Sequence, residues 1–134
     1  MKYLFYTAFL MAFVSISACK KSKTTTPPAA QEASIVFTTD ANAANTSLSN
    51  TFPVSVSLTS AMPSASGINI AATVIDQTNN ATITQNAAVN STAAINNIQL
   101  INLPRQHWCT VTIKVTSVAT PSNFATKTFN VAYK

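Results

Sequence analysis

The sequence predicts an all-β domain of about seven strands, carried behind a short leader and a polar tether. Three observations predict it. Beyond the leader, apolar residues recur at every second position in short runs. Clusters of Asn, Pro and Ser separate these runs and read as turns. No window after the leader keeps the 3.6-residue period of a helix.

The chain has 134 residues, which is the size of one ordinary domain. Met1-Lys2 gives a positive start, Tyr3 to Val14 is an almost unbroken apolar run, and Ser15-Ile16-Ser17-Ala18 descends to small residues before Cys19. This is the pattern of a signal peptide over residues 1–18. A membrane span would need about 20 apolar residues, and Tyr3 to Ala18 supplies 16.

Ile16-Ser17-Ala18-Cys19 resembles the bacterial lipobox, in which an aliphatic residue, two small residues and a Cys end the leader. The resemblance implies that Cys19 receives a thioether-linked diacylglycerol, that a dedicated peptidase cuts before it, and that its new amino group takes a further fatty acid such as palmitate. One acyl chain holds a protein only marginally, at about 0.8 kcal/mol per buried methylene, whereas two or three hold it firmly. The membrane, reached through lipid on Cys19, is therefore the first expected partner. Lys20, Lys21 and Lys23 follow at once. They either attract anionic headgroups, at about 1 kcal/mol each, or serve as a solvated spacer.

Residues 19–33 form the lipidated Cys and a flexible tether. Lys20 to Ala33 reads KKSKTTTPPAAQEA, with no apolar periodicity from which to build a core. At about 3.3 Å per extended residue it spans up to roughly 45 Å.

Residues 34–134 form the folded domain, and its strands are predicted in order. Ser34 to Thr38 is the first. In Phe52 to Thr59, Phe52, Val54, Val56 and Leu58 face inward between outward Ser55, Ser57 and Thr59. Ile68 to Asp76 places Ile68, Ile70, Ala72 and Val74 on one face, and Thr82 to Gln85 follows as a short partner. Ala94 to Leu100 turns Ile98 and Leu100 inward, and Leu103 closes the turn beyond. Cys109, Val111, Ile113 and Val115 alternate with Thr110, Thr112, Lys114 and Thr116 in the clearest strand. Lys127 to Tyr133 ends the chain with Phe129, Val131 and Tyr133 inward. With a single glycine, Gly67, left-handed turn positions fall mostly to Asn. Asn79-Asn80 and Asn96-Asn97 are the candidates, and only the first lies at an expected turn.

Seven short strands in about a hundred residues fit an immunoglobulin-like sandwich. The stretch Ile98 to Val115, with Leu103-Pro104, a loop and then Cys109-Thr-Val-Thr-Ile-Lys-Val-Thr116, resembles the end of a fibronectin type III or related domain. That resemblance implies a Tyr six residues beyond the Leu, bonded back as a tyrosine corner. Here that position holds Cys109, beside Trp108. The whole layout of lipobox, Lys-rich start, Thr/Pro tether and one sandwich also resembles small lipoproteins of the Bacteroidota. That likeness implies a cell-envelope location, at the outer membrane, with the face left open. In that group acidic residues after the lipidated Cys accompany surface export, and Lys20-Lys21-Ser22-Lys23 stands there instead.

Composition narrows the function classes. Ser, Thr and Asn make up 47 of the 134 residues and charged residues only 8%. From residue 34 onward, Arg105, Lys114, Lys127 and Lys134 oppose Asp40 and Asp76, so the domain carries a net +2. Nucleic-acid binding wants a basic stripe with interleaved aromatics, and four scattered cations argue against that partner. Asp40 and Asp76 are the domain's only carboxylates available to a glycosidase pair, and Asp76 falls where Asp ordinarily caps a turn. His107 and Cys109 would share a strand face, yet Cys109 occupies the inward phase expected of a core residue. No metal site is assigned, since zinc wants three or four ligands, and no cofactor is implied. Lipid on Cys19 would leave Cys109 unpaired.

Arg105, Gln106, His107 and Trp108 put a cation, an amide, an imidazole and the sole indole into four consecutive positions. These are the ligand-binding candidates. Trp108 is either a contact platform for an envelope glycan or protein, or a lid that covers apolar surface at the sandwich end. The expected function is a non-enzymatic binding or spacer module held at the membrane, as a monomeric domain. The alternative is a structural or assembly protein pairing through a sheet edge.

Overall fold

The computed structural model describes residues 31–134. The leader expected over residues 1–18, the expected lipid site Cys19 and most of the expected tether lie outside the described residues. Every element of the described chain is a strand: β1 (Phe37–Thr39), β2 (Ala44–Ser47), β3 (Phe52–Leu58), β4 (Ile68–Asp76), β5 (Thr82–Ile83), β6 (Val89–Ser91), β7 (Ile95–Leu100), β8 (Trp108–Ser117) and β9 (Phe124–Tyr133). No helix among the described residues is long and apolar enough to cross a membrane.

Two sheets enclose one apolar core in a sandwich-like arrangement. The smaller sheet runs β1-β3-β7, and the larger runs β2-β9-β8-β4-β5, with β6 also on β4. All pairings are antiparallel except β2 with β9, which is parallel. The inward residues follow the two-residue period of a strand. Cys109, Val111, Ile113 and Val115 of β8 are fully buried, against Val54 and Val56 of β3, Ile68, Ile70 and Val74 of β4, Leu100 of β7 and Val131 of β9. Their neighbours Thr112, Lys114 and Thr116 turn to the other face, where Thr112 and Thr128 share a hydroxyl hydrogen bond of 3.2 Å.

Nine strands stand where about seven were expected, and the two extra ones lack an apolar pattern. β2 reads Ala-Asn-Thr-Ser and is held by the free edge of β9, with Asn45 Nδ2 donating to the carbonyl oxygens of Asn42 and Asn130 at 2.8 and 3.0 Å. β6 is three residues long and rests on the start of β4. The first expected strand, Ser34 to Thr38, moves to Phe37–Thr39. Ahead of it the Val36 carbonyl accepts from the N–H groups of Thr59 and Ser60 without joining a ladder, while Ile35 is already buried.

The left-handed positions are only partly those expected. Asn80 takes one, with φ 57°, in the turn after β4, while Asn96 and Asn97 lie inside β7 and Asn102 and Gln106 take the others. Gly67 (φ 80°) has no alternative. A Cβ there would stand 2.2 Å from the Ser91 carbonyl oxygen, so the β3–β4 connection reaches its place only through a residue without a side chain.

At the end of the domain where Gly67 lies, Asn123 fastens the incoming chain. Its Nδ2 donates to Glu32 Oε2 at 3.2 Å and to the Ala33 carbonyl at 2.9 Å, and its Oδ1 accepts from the Ile35 N–H at 3.2 Å. Glu32, read from the sequence as tether, is thus already in contact with the domain. Hydrogen bonding, first of all to Ser117, holds its carboxyl below the usual range.

Candidate functional site

The opposite end of the larger sheet carries the end of β4, the start of β8 and the end of β9. Trp108 pairs with Ala132, Cys109 with Val131, and Asp76 with Cys109. The loop from Pro104 to His107 is hooked onto β9, because Arg105 bridges to Tyr133 and the Gln106 N–H donates to the Tyr133 carbonyl at 2.6 Å. Gln106 reaches that carbonyl with a φ of 64°.

This local path divides the four consecutive candidates between two surfaces. His107 belongs to the inward phase and lies over the sandwich end, where its Nδ1–H donates to Asp76 Oδ2 at 2.7 Å. Asp76 is itself nearly buried, at 4% exposure. Its other oxygen accepts from the Thr78 N–H at 2.8 Å, the turn cap that an Asp at this junction provides. The imidazole beside it, followed by the Thr78 amide, holds the Asp76 carboxyl below its usual range. The pairing orients the ring through Nδ1 and leaves Nε2 with no hydrogen-bond partner among the described residues.

Trp108 points to the outer face and is 44% exposed. It lines a groove of about 290 Å³ together with Gln106, Ala132, Tyr133 and Lys134. The small side chain directly across the ladder, Ala132, leaves the groove open beside the indole. An ordered amide network adjoins it: Gln77 Nε2 donates to Thr110 Oγ1 and to Asn130 Oδ1, both at 3.0 Å, and the Gln77 N–H donates to the Trp108 carbonyl at 2.9 Å. Arg105 is exposed and does not line the groove.

Sequence reasoning singled out Gln106 and Trp108 but missed Tyr133, Lys134 and Gln77. Tyr133 was readable only as the last inward residue of β9, and its groove-lining role depends on the loop hooking back over it. The Asp76–His107 pair was missed as well. Thirty-one positions separate the two, and only the β4–β8 register brings them together.

Cys109 has none of the features of a nucleophile. It is fully buried, and burial, with the Asp76 carboxylate adding to it, pushes its thiol up to about 11, away from the thiolate that nucleophilic chemistry needs. Asp40 has a separate occupation, its Oδ1 accepting from the Ser55 N–H at 2.8 Å. Among the described residues, no three of His, Cys, Asp and Glu are grouped so as to hold a metal ion. What the end of the sheet offers is an open groove beside one exposed indole, with Gln106 and Lys134 lining it. No protein-family model, no curated protein and no solved structure matches the chain.

Proposed function

We propose that this chain is a lipid-anchored protein of the bacterial cell envelope, whose immunoglobulin-like, fibronectin type III-like domain binds an envelope ligand through the Trp108 groove. The lipobox-like ending at Cys19 supports the anchor. The strand order β1-β3-β7 facing β9-β8-β4-β5 supports the domain type, since it is the two-sheet order of that sandwich with a short parallel strand added on β9.

The observation that carries the reading is polarity along the domain. The tether enters beside Asn123, at the end of β8 marked by Ser117, and the groove lies at the other end, marked by Trp108. The ten residues of β8, at about 3.3 Å each, set the two roughly 30 Å apart. A domain tethered at one end and grooved at the other presents its groove away from the bilayer. Trp108 offers an aromatic face to the apolar face of a sugar ring, and Gln106 offers an amide to its hydroxyls. An envelope glycan is therefore the ligand class we favour, with an envelope protein as the other class. The role we propose is non-enzymatic.

Calorimetric titration of the full chain with envelope polysaccharide tests the reading. Trp108→Ala should weaken binding by about 2 kcal/mol, roughly 30-fold, and leave the melting temperature unchanged. A loss of stability with undiminished binding would assign Trp108 to packing and end the platform reading.

A further inference from the structure

We infer that the outer face of the larger sheet continues the Trp108 groove, and that the two together bind one linear, uncharged glycan laid along β8 and β9. The inference rests on the groove reading and deepens it, since it fixes the shape and the charge of the ligand.

The inference starts from register. Trp108 and Ala132 stand side by side in the groove, and both take the outward phase of their strands. The next outward row is Ile75, Thr110 and Asn130, across β4, β8 and β9, and the row after it is Thr73, Thr112 and Thr128. The rows therefore run on from the groove without a break. They stop at Lys114, whose ammonium lies 4.4 Å from the centre of the Phe124 ring. Trp108 and Thr112 are roughly 13 Å apart at about 3.3 Å per residue, and neighbouring strands are about 4.8 Å apart. A single sugar ring beside Trp108 would leave both rows bare.

Three features specify the occupant. Neither row holds a charged side chain, and the one carboxylate of β4, Asp76, is turned inward and nearly buried, so an ionic partner finds no counter-charge there. The face is also amphipathic on a fine scale. Threonine methyls and Ile75, itself 38% exposed, lie among the hydroxyls, which suits a sugar ring with its C–H face and its own hydroxyls better than it suits the apolar centre of a protein interface. The polar groups, moreover, are already ordered. Gln77 Nε2 donates to Thr110 Oγ1 and Asn130 Oδ1, Thr110 Oγ1 donates to Asn130 Oδ1 at 3.3 Å, and Thr112 and Thr128 share one hydrogen bond. Groups fixed in advance lose little side-chain freedom when a ligand arrives. In the Thr112–Thr128 pair, one hydroxyl proton and lone pairs on both oxygens remain for it. Because the rows succeed one another along β8, the ligand that covers them is an extended chain.

Calorimetric titration of the full chain with size-fractionated neutral fragments of envelope polysaccharide tests the continuation. Fragments long enough to reach Thr112 should bind about tenfold more tightly than the disaccharide, the rough worth of one or two further hydrogen bonds. Added salt should leave the affinity unchanged, since no ion pair is formed. The double variant Thr112→Val, Thr128→Val keeps β-branched side chains in both strands. It should bind long fragments only as tightly as the disaccharide, with the disaccharide's own affinity unaltered. Equal affinity of the wild type for the disaccharide and the long fragments would overturn this inference and leave the groove reading standing. Affinity that falls steeply with salt would do the same, and would point to an acidic ligand at Lys134. No binding of any fragment would overturn both, in favour of an envelope protein as the ligand. Should the double variant unfold, the dependence on fragment length in the wild type still decides.

Discussion

Asp76 and His107 show what a single pair contributes at the end of a sheet. The carboxylate sits at the last position of β4, where it is nearly buried, and two N–H donors offset its removal from water. A carboxyl held below its ordinary value stabilises the fold above the unfolded-state value of 3.8. That contribution is lost as the pH falls through the lower folded-state value. Melting temperature measured from pH 7 down to pH 2 should therefore drop more steeply below about pH 4 in the wild type than in Asp76→Asn. At pH 7 the variant should already be the less stable of the two. Equal acid sensitivity in both chains would show that Asp76 titrates as freely in the folded chain as in the unfolded one.

Among the elements, the strands with strict alternation were legible in the sequence because burial on one face leaves its own record. In β8, Cys109, Val111, Ile113 and Val115 read as an inward row, and all four are buried. β3, β4 and β9 follow the same rule. The strands that were not legible carry no such record. β2 is a strand because the β9 edge accepts it and Asn45 locks it, and Ala-Asn-Thr-Ser by itself reads as a turn. The same holds for Gln85, which the alternation would place at the end of a strand. Its side-chain amide instead completes the hydrogen bonding of Ile101.

Gly67 belongs to this scale, since it sets the path between β3 and β4. Its positive φ acts together with the Ser91 carbonyl oxygen, which lies 2.2 Å from where a Cβ would stand. Gly67→Ala should cost more than the roughly 1 kcal/mol of left-handed strain alone, because backbone must also shift. Urea denaturation should show a lower midpoint with an unchanged slope. A midpoint equal to that of the wild type would mean that the connection can take another path.

For the whole molecule, the residues of the candidate site were partly legible and their arrangement was not. The sequence showed Trp108 and Gln106 as a local concentration of chemistry. The alternation already put His107 in phase with inward Cys109 and Trp108 on the outer face, but it could not show the hook onto Tyr133 or the Asp76 carboxylate that His107 meets. Nor could it show that Asn123 draws the chain in at the end away from the groove. In the proposed function these placements give the tether its meaning, because a lipid anchor at one end would make the other end the one presented. The account therefore depends on lipid at Cys19. Cells expressing the full chain and fed an alkyne-bearing fatty acid provide the most direct measurement. The wild type should take up the label and fractionate with membranes, and Cys19→Ala should do neither. Label retained by Cys19→Ala, or absent from the wild type, would contradict it.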